Sequence, residues 1–174
     1  MKRNNIINAI ATLVVMIVCT NGLLAQATAT ASASATVVAP IAMSKNVNMN
    51  FGNAAVSVSS GGSVILAPVG TRTTAGSGVT LPATAGTVSA ANFTISGAPG
   101  YTFAITLPST ATIAGPGAAT MTVSSFTSSP SATGTLSGSG TQTLTVGATL
   151  AVNPAQAAGT YTNASAVPVT VNYN

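Results

Sequence analysis

No aspartate, glutamate or histidine occurs anywhere in this 174-residue chain, and there is no tryptophan. General acid–base catalysis needs a group that exchanges a proton near neutral pH, and the missing side chains are the usual donors and acceptors. Calcium sites need carboxylates and zinc sites need cysteine or histidine, so neither metal finds ligands and no cofactor is expected. Serines are plentiful, but no histidine is present to activate one and no Gly-x-Ser-x-Gly elbow occurs. Ser44 beside Lys45 is the one remaining nucleophile–base pair. The plainer account of Lys45 is a charge that keeps a strand edge soluble. Gly76-Ser77-Gly78 and Gly138-Ser139-Gly140 lack a third glycine or a Gly-Lys-Ser/Thr ending, so they read as turns, not phosphate cradles. The chain is expected not to be an enzyme.

Positive charge is nearly as scarce. Lys2, Arg3, Lys45 and Arg72 are the only basic residues, and the calculated pI near 9.9 reports missing acids more than abundant bases. Nucleic-acid binding needs clustered Lys and Arg to neutralise several phosphates, which excludes that class of partner. Long apolar runs are missing too. Ile6 to Val18 is largely apolar but is interrupted by Asn8 and Thr12, short of the roughly 18 residues a membrane span requires. With Lys2 and Arg3 before it and the small-x-small site Ala25-Gln26-Ala27 after it, residues 1–27 read as a secretory signal peptide. Cleavage is expected after Ala25 or Ala27. The alternative of a lipid on Cys19 is disfavoured by the bulky Val18 before it. Cleavage would remove the only cysteine and leave Lys45 and Arg72 as the only charged side chains. The processed protein is therefore expected outside the cytoplasm, secreted or at a bacterial cell surface, with no membrane span and no disulfide.

Thr, Ser, Ala, Val and Gly dominate what is left, a composition suited to strands and tight turns. About 147 residues fit one domain large enough to bury a core. The segment ATATASASATVVAPIAM at 27–43 alternates in a single phase, as one long strand would. Further alternation marks Val47, Met49 and Phe51, and Ser63 to Ala67. Val88 to Ser96 reads as one strand, and Tyr101, Phe103, Ile105 and Leu107 share a face. Of that last group, Tyr101 and Phe103 are expected in the core. Met121 and Val123 lead towards Phe126, Thr133 to Leu136 is a short strand, and Gln142 to Val152 carries Leu144, Val146, Leu150 and Val152. Residues 70–78 and 109–119 read as loops. Eight to ten strands without a helix point to an all-β fold, an antiparallel immunoglobulin-like β-sandwich, with a β-barrel as the alternative. The chain divides into the leader (1–27), an Ala/Ser/Thr arm or spacer (28–36) and a β-domain (37–174).

The final segment, GTYTNASAVPVTVNYN, resembles the closing strand of chaperone–usher pilins and spore-coat-U-like domains. Those end with a glycine, alternating apolar residues and a penultimate tyrosine, places taken here by Gly159, Val167, Val169, Val171 and Tyr173. Taken with NMNFG at 48–52, ANFTISGAPGYTFAITLP at 91–108 and LTVGATLAV at 144–152, residues 36 to 174 are similar to the bacterial domain-of-unknown-function 4402 family. The resemblance implies an extracellular, immunoglobulin-like sandwich. Pro168 inside the terminal run and the missing disulfide pair depart from the pilin pattern.

Pilin-type assembly adds an extended arm of one subunit to the sheet of the next. Ala29, Ala31, Ala33, Ala35 and Val37 form the apolar phase of a candidate arm; the segment reads alternatively as a flexible spacer or an extension of the first strand. Burying an alanine methyl gains only about 0.8 kcal/mol, against about 1.5–3 for Val, Ile or Leu. The expected function is a secreted, non-catalytic, pilin-like or coat-like subunit forming homo-oligomers. The alternative is an extracellular adhesin that recognises a surface glycan or host protein through its loops.

Overall fold

A computed structural model of the chain describes residues 26–174, so the leader lies outside the described residues except for its last two positions. Residues 37–174 form one compact unit, and all its regular structure is antiparallel β apart from a three-residue 3₁₀ turn at Pro116–Ala118. In chain order the strands are β1 Ala42–Val47, β2 Asn50–Phe51, β3 Ala55–Val56, β4 Gly62–Leu66, β5 Arg72–Ala75, β6 Val79–Thr80 and β7 Val88–Ser89. There follow β8 Ala91–Ser96, β9 Thr102–Thr106, β10 Thr110–Ala114, β11 Thr120–Ser129, β12 Thr133–Thr135, β13 Thr141–Val152 and β14 Thr170–Tyr173.

The spine is β13. Leu144, Val146, Ala148, Leu150 and Val152 all occupy even positions and are all buried, so one face of a twelve-residue strand is continuously apolar. Along one edge, Thr141–Val146 pair with β8 and Ala148–Val152 pair with β4; β11 takes the other edge. The main sheet runs β1-β8-β13-β11-β10, with β4 and β5 attached beside the second half of β13. It stays open, because β1 and β10 do not pair with each other. A second sheet, β12-β9-β14, is separate from it.

Two apolar clusters meet along β13. In the first, Phe103 and Leu136 from the second layer pack with Phe93, Ile95, Leu144 and Val146 of the main sheet, with Val167, Val169, Val171 and Tyr173 around them. This is the sandwich core, and each large side chain buried in it contributes about 1.5–3 kcal/mol. The second cluster holds Val64, Val79, Val123, Leu150 and Val152. Here no full sheet faces the main one. Only the two-residue ladders β2–β7 and β3–β6 and irregular chain lie opposite.

Several sequence expectations are corrected. Among the described residues no strand precedes Ala42, so the alternating phase of 27–43 enters a strand only at its end: Thr and Ser alternating with Ala carry the period but bury nothing. The described residues hold fourteen strands, not eight to ten, because two-residue ladders carry no readable period. Residues 70–78 contain β5 and residues 109–119 contain β10, both edge strands hidden by flanking Gly and Pro. Val88 to Ser96 divides into β7 and β8. Tyr101 is 46% exposed and stands edge-on to Tyr173, ring centroids 5.6 Å apart, instead of entering the core with Phe103. The terminal strand begins only at Thr170, since Pro168 has no N–H to offer a ladder. Val47 is exposed because β1 slips by one residue between Lys45 and Val47.

Folding here owes nothing to carboxylates or imidazoles. Stability changes with pH only where the unfolded and native states bind different numbers of protons. The chain lacks Asp, Glu and His, the side chains that ordinarily titrate between about pH 3.9 and 6.5. Apart from the terminal α-carboxyl and α-amino groups, both states therefore bind the same number there, and the slope is close to zero on acidification. The urea midpoint is expected to stay constant between about pH 3 and pH 7; a fall of more than about 1 M would contradict this.

A candidate strand-binding groove

Where the second layer is incomplete, a groove of about 1030 Å³ opens over the main sheet. Its floor is the second apolar cluster: Ile113, Met121, Val123, Leu150 and Val152, with Phe93 at the junction with the first. One wall runs from Lys45 through β2 to β3, and the other is the irregular segment from Gln156 to Val167.

The first wall is irregular because Gly52 turns the chain at φ +68°, and it is held from behind by hydrogen bonds. Arg72 at the start of β5 donates from Nη1 to the carbonyls of Phe51 at 2.6 Å and Asn53 at 2.7 Å. With no acidic side chain in the chain, these backbone oxygens are what the guanidinium has for partners. Asn53 donates its amide to Ala85 O and its side chain to Thr84 O, and Ser89 Oγ donates to Asn48 O. Asn50 accepts from Gly52 N.

The second wall has comparable anchors. Thr162 exchanges two backbone bonds with Ala114 at the edge of the main sheet, and Asn163 Nδ2 donates to Thr112 O at 2.8 Å. Gln156 Nε2 donates to Thr120 O and to the Tyr161 hydroxyl, which in turn donates to Ala157 O. Ala155 N donates to Ser57 O and joins the chain leading into the two walls. Asn163 and Asn92, the two Asn-x-Ser/Thr positions, both have side-chain bonds, Asn92 accepting from Asn46.

Among the described residues, Lys45 is the only charged side chain in the lining. Ser44 precedes it on the same strand, so the two side chains point to opposite faces, and no hydrogen bond joins them among the described residues. An apolar floor, walls with a single described charge and extended rims suit an extended uncharged polypeptide better than a small polar ligand.

Of the terminal residues singled out from sequence, the structure brings Gly159 and Val167 into the second wall. Val169, Val171 and Tyr173 pack on the sandwich core. Tyr173 closes that core: its hydroxyl accepts from Ala98 N at 2.7 Å and donates to Ala39 O at 2.9 Å. The chain just before β1 is thereby fixed to the last strand. Ala29, Ala31, Ala33, Ala35 and Val37 are all exposed and lie outside any strand, Val37 at 96%.

The family model described as a domain of unknown function (DUF4402) matches residues 41–173. The chain belongs to the DUF4402 family. Neither the curated proteins nor the solved structures contain a match. The DUF4402 match takes in both walls and the floor of the groove, as well as both core clusters. The arm at 28–36 falls outside it. Arg72 and the 156–167 wall of the DUF4402 domain were not found from sequence, because each acts through partners 19 to 51 residues away. The run Ala157-Ala158-Gly159, small and unable to fill a core, was the one available signal.

Proposed function

We propose that this DUF4402 domain is a non-catalytic structural subunit, exported by its leader to the cell surface, whose copies assemble by β-strand addition. The observation that carries the reading is the groove: half of the main sheet's apolar face is faced only by two-residue ladders and irregular chain. An extended segment laid between the walls would supply the missing layer. Each ladder hydrogen bond is worth about 0.5–1.5 kcal/mol net, while ordering a residue's backbone costs about 1–2 kcal/mol. The apolar floor supplies the difference by burying the segment's inward side chains. Two further features support self-association. Little electrostatic repulsion separates copies of a chain with no acids and few bases, and its open edges carry almost no charged side chains. Its closing strand is similar to that of pilins, which assemble in this way.

The test is sedimentation of the full chain from micromolar to near-millimolar concentration, beside a variant with Ala54→Arg and Ala164→Arg. Both positions are exposed groove walls, so the substitutions obstruct the mouth without entering the core. The wild type is expected to form larger species as concentration rises and to bind a synthetic Thr-Val-Thr-Val-Thr-Val-Thr peptide. The variant is expected to remain monomeric and not to bind it. A wild type that stays monomeric and ignores the peptide rules the reading out.

A further inference from the structure

We infer that the occupant of the groove is the segment Ala29–Ala35 of a second copy of this chain, entering with its alanines inward. The inference rests on the strand-addition reading and adds the donor, its phase and the kind of assembly that results.

Size is the first argument. A strand rises about 3.3 Å per residue, lies about 4.8 Å from its neighbour and has about 10 Å to the facing sheet, so an added residue fills about 160 Å³. A groove of 1030 Å³ therefore holds about six or seven residues. Ala29 to Ala35 is seven residues long, in perfect alternation, with Ala29, Ala31, Ala33 and Ala35 in one phase and Thr30, Ser32 and Ser34 in the other.

Availability is the second. Residues 26–40 are in no strand, and nearly all are exposed. Among the described residues, the one recorded hydrogen bond to this stretch is that of Tyr173 to Ala39 O, at its root. The third is charge: the arm has none, and among the described residues the groove lining has only the exposed Lys45, so docking meets a single cation and no acid.

Arm and groove are different surfaces of one chain, so the contact is heterologous. Each copy donates once and accepts once, which closes into a ring, the smallest being a reciprocally swapped dimer, or runs on as an open filament. Alanine fills the floor only shallowly, so the union is reversible. Ala31→Val and Ala33→Val each enlarge an inward side chain by two carbons, and each is expected to tighten assembly by about tenfold or more, where tenfold corresponds to 1.4 kcal/mol.

Disulfide trapping tests the assignment. In full chain carrying Cys19→Ser, Ala33→Cys is placed on one copy and Ala164→Cys, in the groove wall, on another. Mixed and oxidised, they are expected to form a heterodimer on a non-reducing gel. A chain bearing both cysteines is expected to give covalent dimers or higher multimers. Val69→Cys, at an 81% exposed position outside the groove lining, serves as the control acceptor and is expected to cross-link far less. Equal trapping at Val69→Cys, or a doubly substituted chain that closes only on itself as a monomer, overturns the inference. Binding of the Thr-Val peptide without trapping of Ala33→Cys overturns the donor while leaving the groove reading intact; loss of both removes the two together.

Discussion

Replacing Gly134 with valine is expected to destabilise the domain by at least about 3 kcal/mol, a large part of the 5–15 kcal/mol that holds a typical domain together. Gly134 on β12 lies directly across from Phe103 on β9. A Cβ there would sit 2.3 Å from Phe103 Cζ and under 3.0 Å from both Cε atoms. The ring is fully buried against Leu136, Leu144 and Ile95, so it has nowhere to retreat. Phe103→Ala alone removes the largest fully buried side chain and is expected to cost about 3–5 kcal/mol. The two defects share one cause, so the double variant should lose less than their sum by about 1–3 kcal/mol, the valine filling part of the space the ring leaves. Urea midpoints of the four proteins at constant slope close the cycle. Strict additivity would show that the glycine is kept for some other reason.

That pairing was half legible. The face shared by Phe103, Ile105 and Leu107 follows from alternation, but Gly134, inside the short strand read at Thr133 to Leu136, has no identifiable partner until the register of β12 on β9 is known. The same division holds across the chain. Alternation found the buried face of β13 through Gly147, because that strand is long and one phase of it is apolar throughout. It did not find the slip in β11, where Ser125 at φ +51° adds a residue. The slip moves the inward phase from Met121 and Val123 to Phe126 and Ser128, so a break in period marks a bulge, not a strand end. At residues 28–36 the period is perfect, yet within one copy the side chains stay exposed. Periodicity states which side chains share a face; the face is buried only if those side chains bring enough apolar area, and alanines do not. The groove was beyond sequence altogether. It is made by the irregular chain over the second half of β13, and a strand faced by irregular chain has the same residues as one faced by a sheet.

The second large effect is expected at Gly147, where the two halves of the domain join. Before it, Leu144 and Val146 pair with β8 and belong to the sandwich core; after it, Ala148, Leu150 and Val152 pair with β4, and Leu150 and Val152 floor the groove. The end of β4 crosses the spine at this point. A Cβ on Gly147 would lie 2.2 Å from Leu66 O and under 3.0 Å from Ala67 C and Pro68 N. These are backbone atoms that no side-chain rotation can move. Gly147→Val must therefore push β4 off β13 or kink the spine, at an expected cost of at least about 3 kcal/mol. The loss should be uneven. Hydrogen exchange is expected to show β4, β5 and residues 148–152 opening first, while β8 and β9 keep most of their protection, because the sandwich core does not depend on that crossing. Protection lost equally everywhere, or a cost below about 1 kcal/mol, would count against a junction at this residue. A strand bound in the groove favours the closed form by mass action, so saturating Thr-Val peptide should slow exchange across residues 148–152 in the wild type and restore part of it in Gly147→Val. Stabilisation confined to the groove half would tie the uncovered face of the sheet to strand binding without reference to assembly.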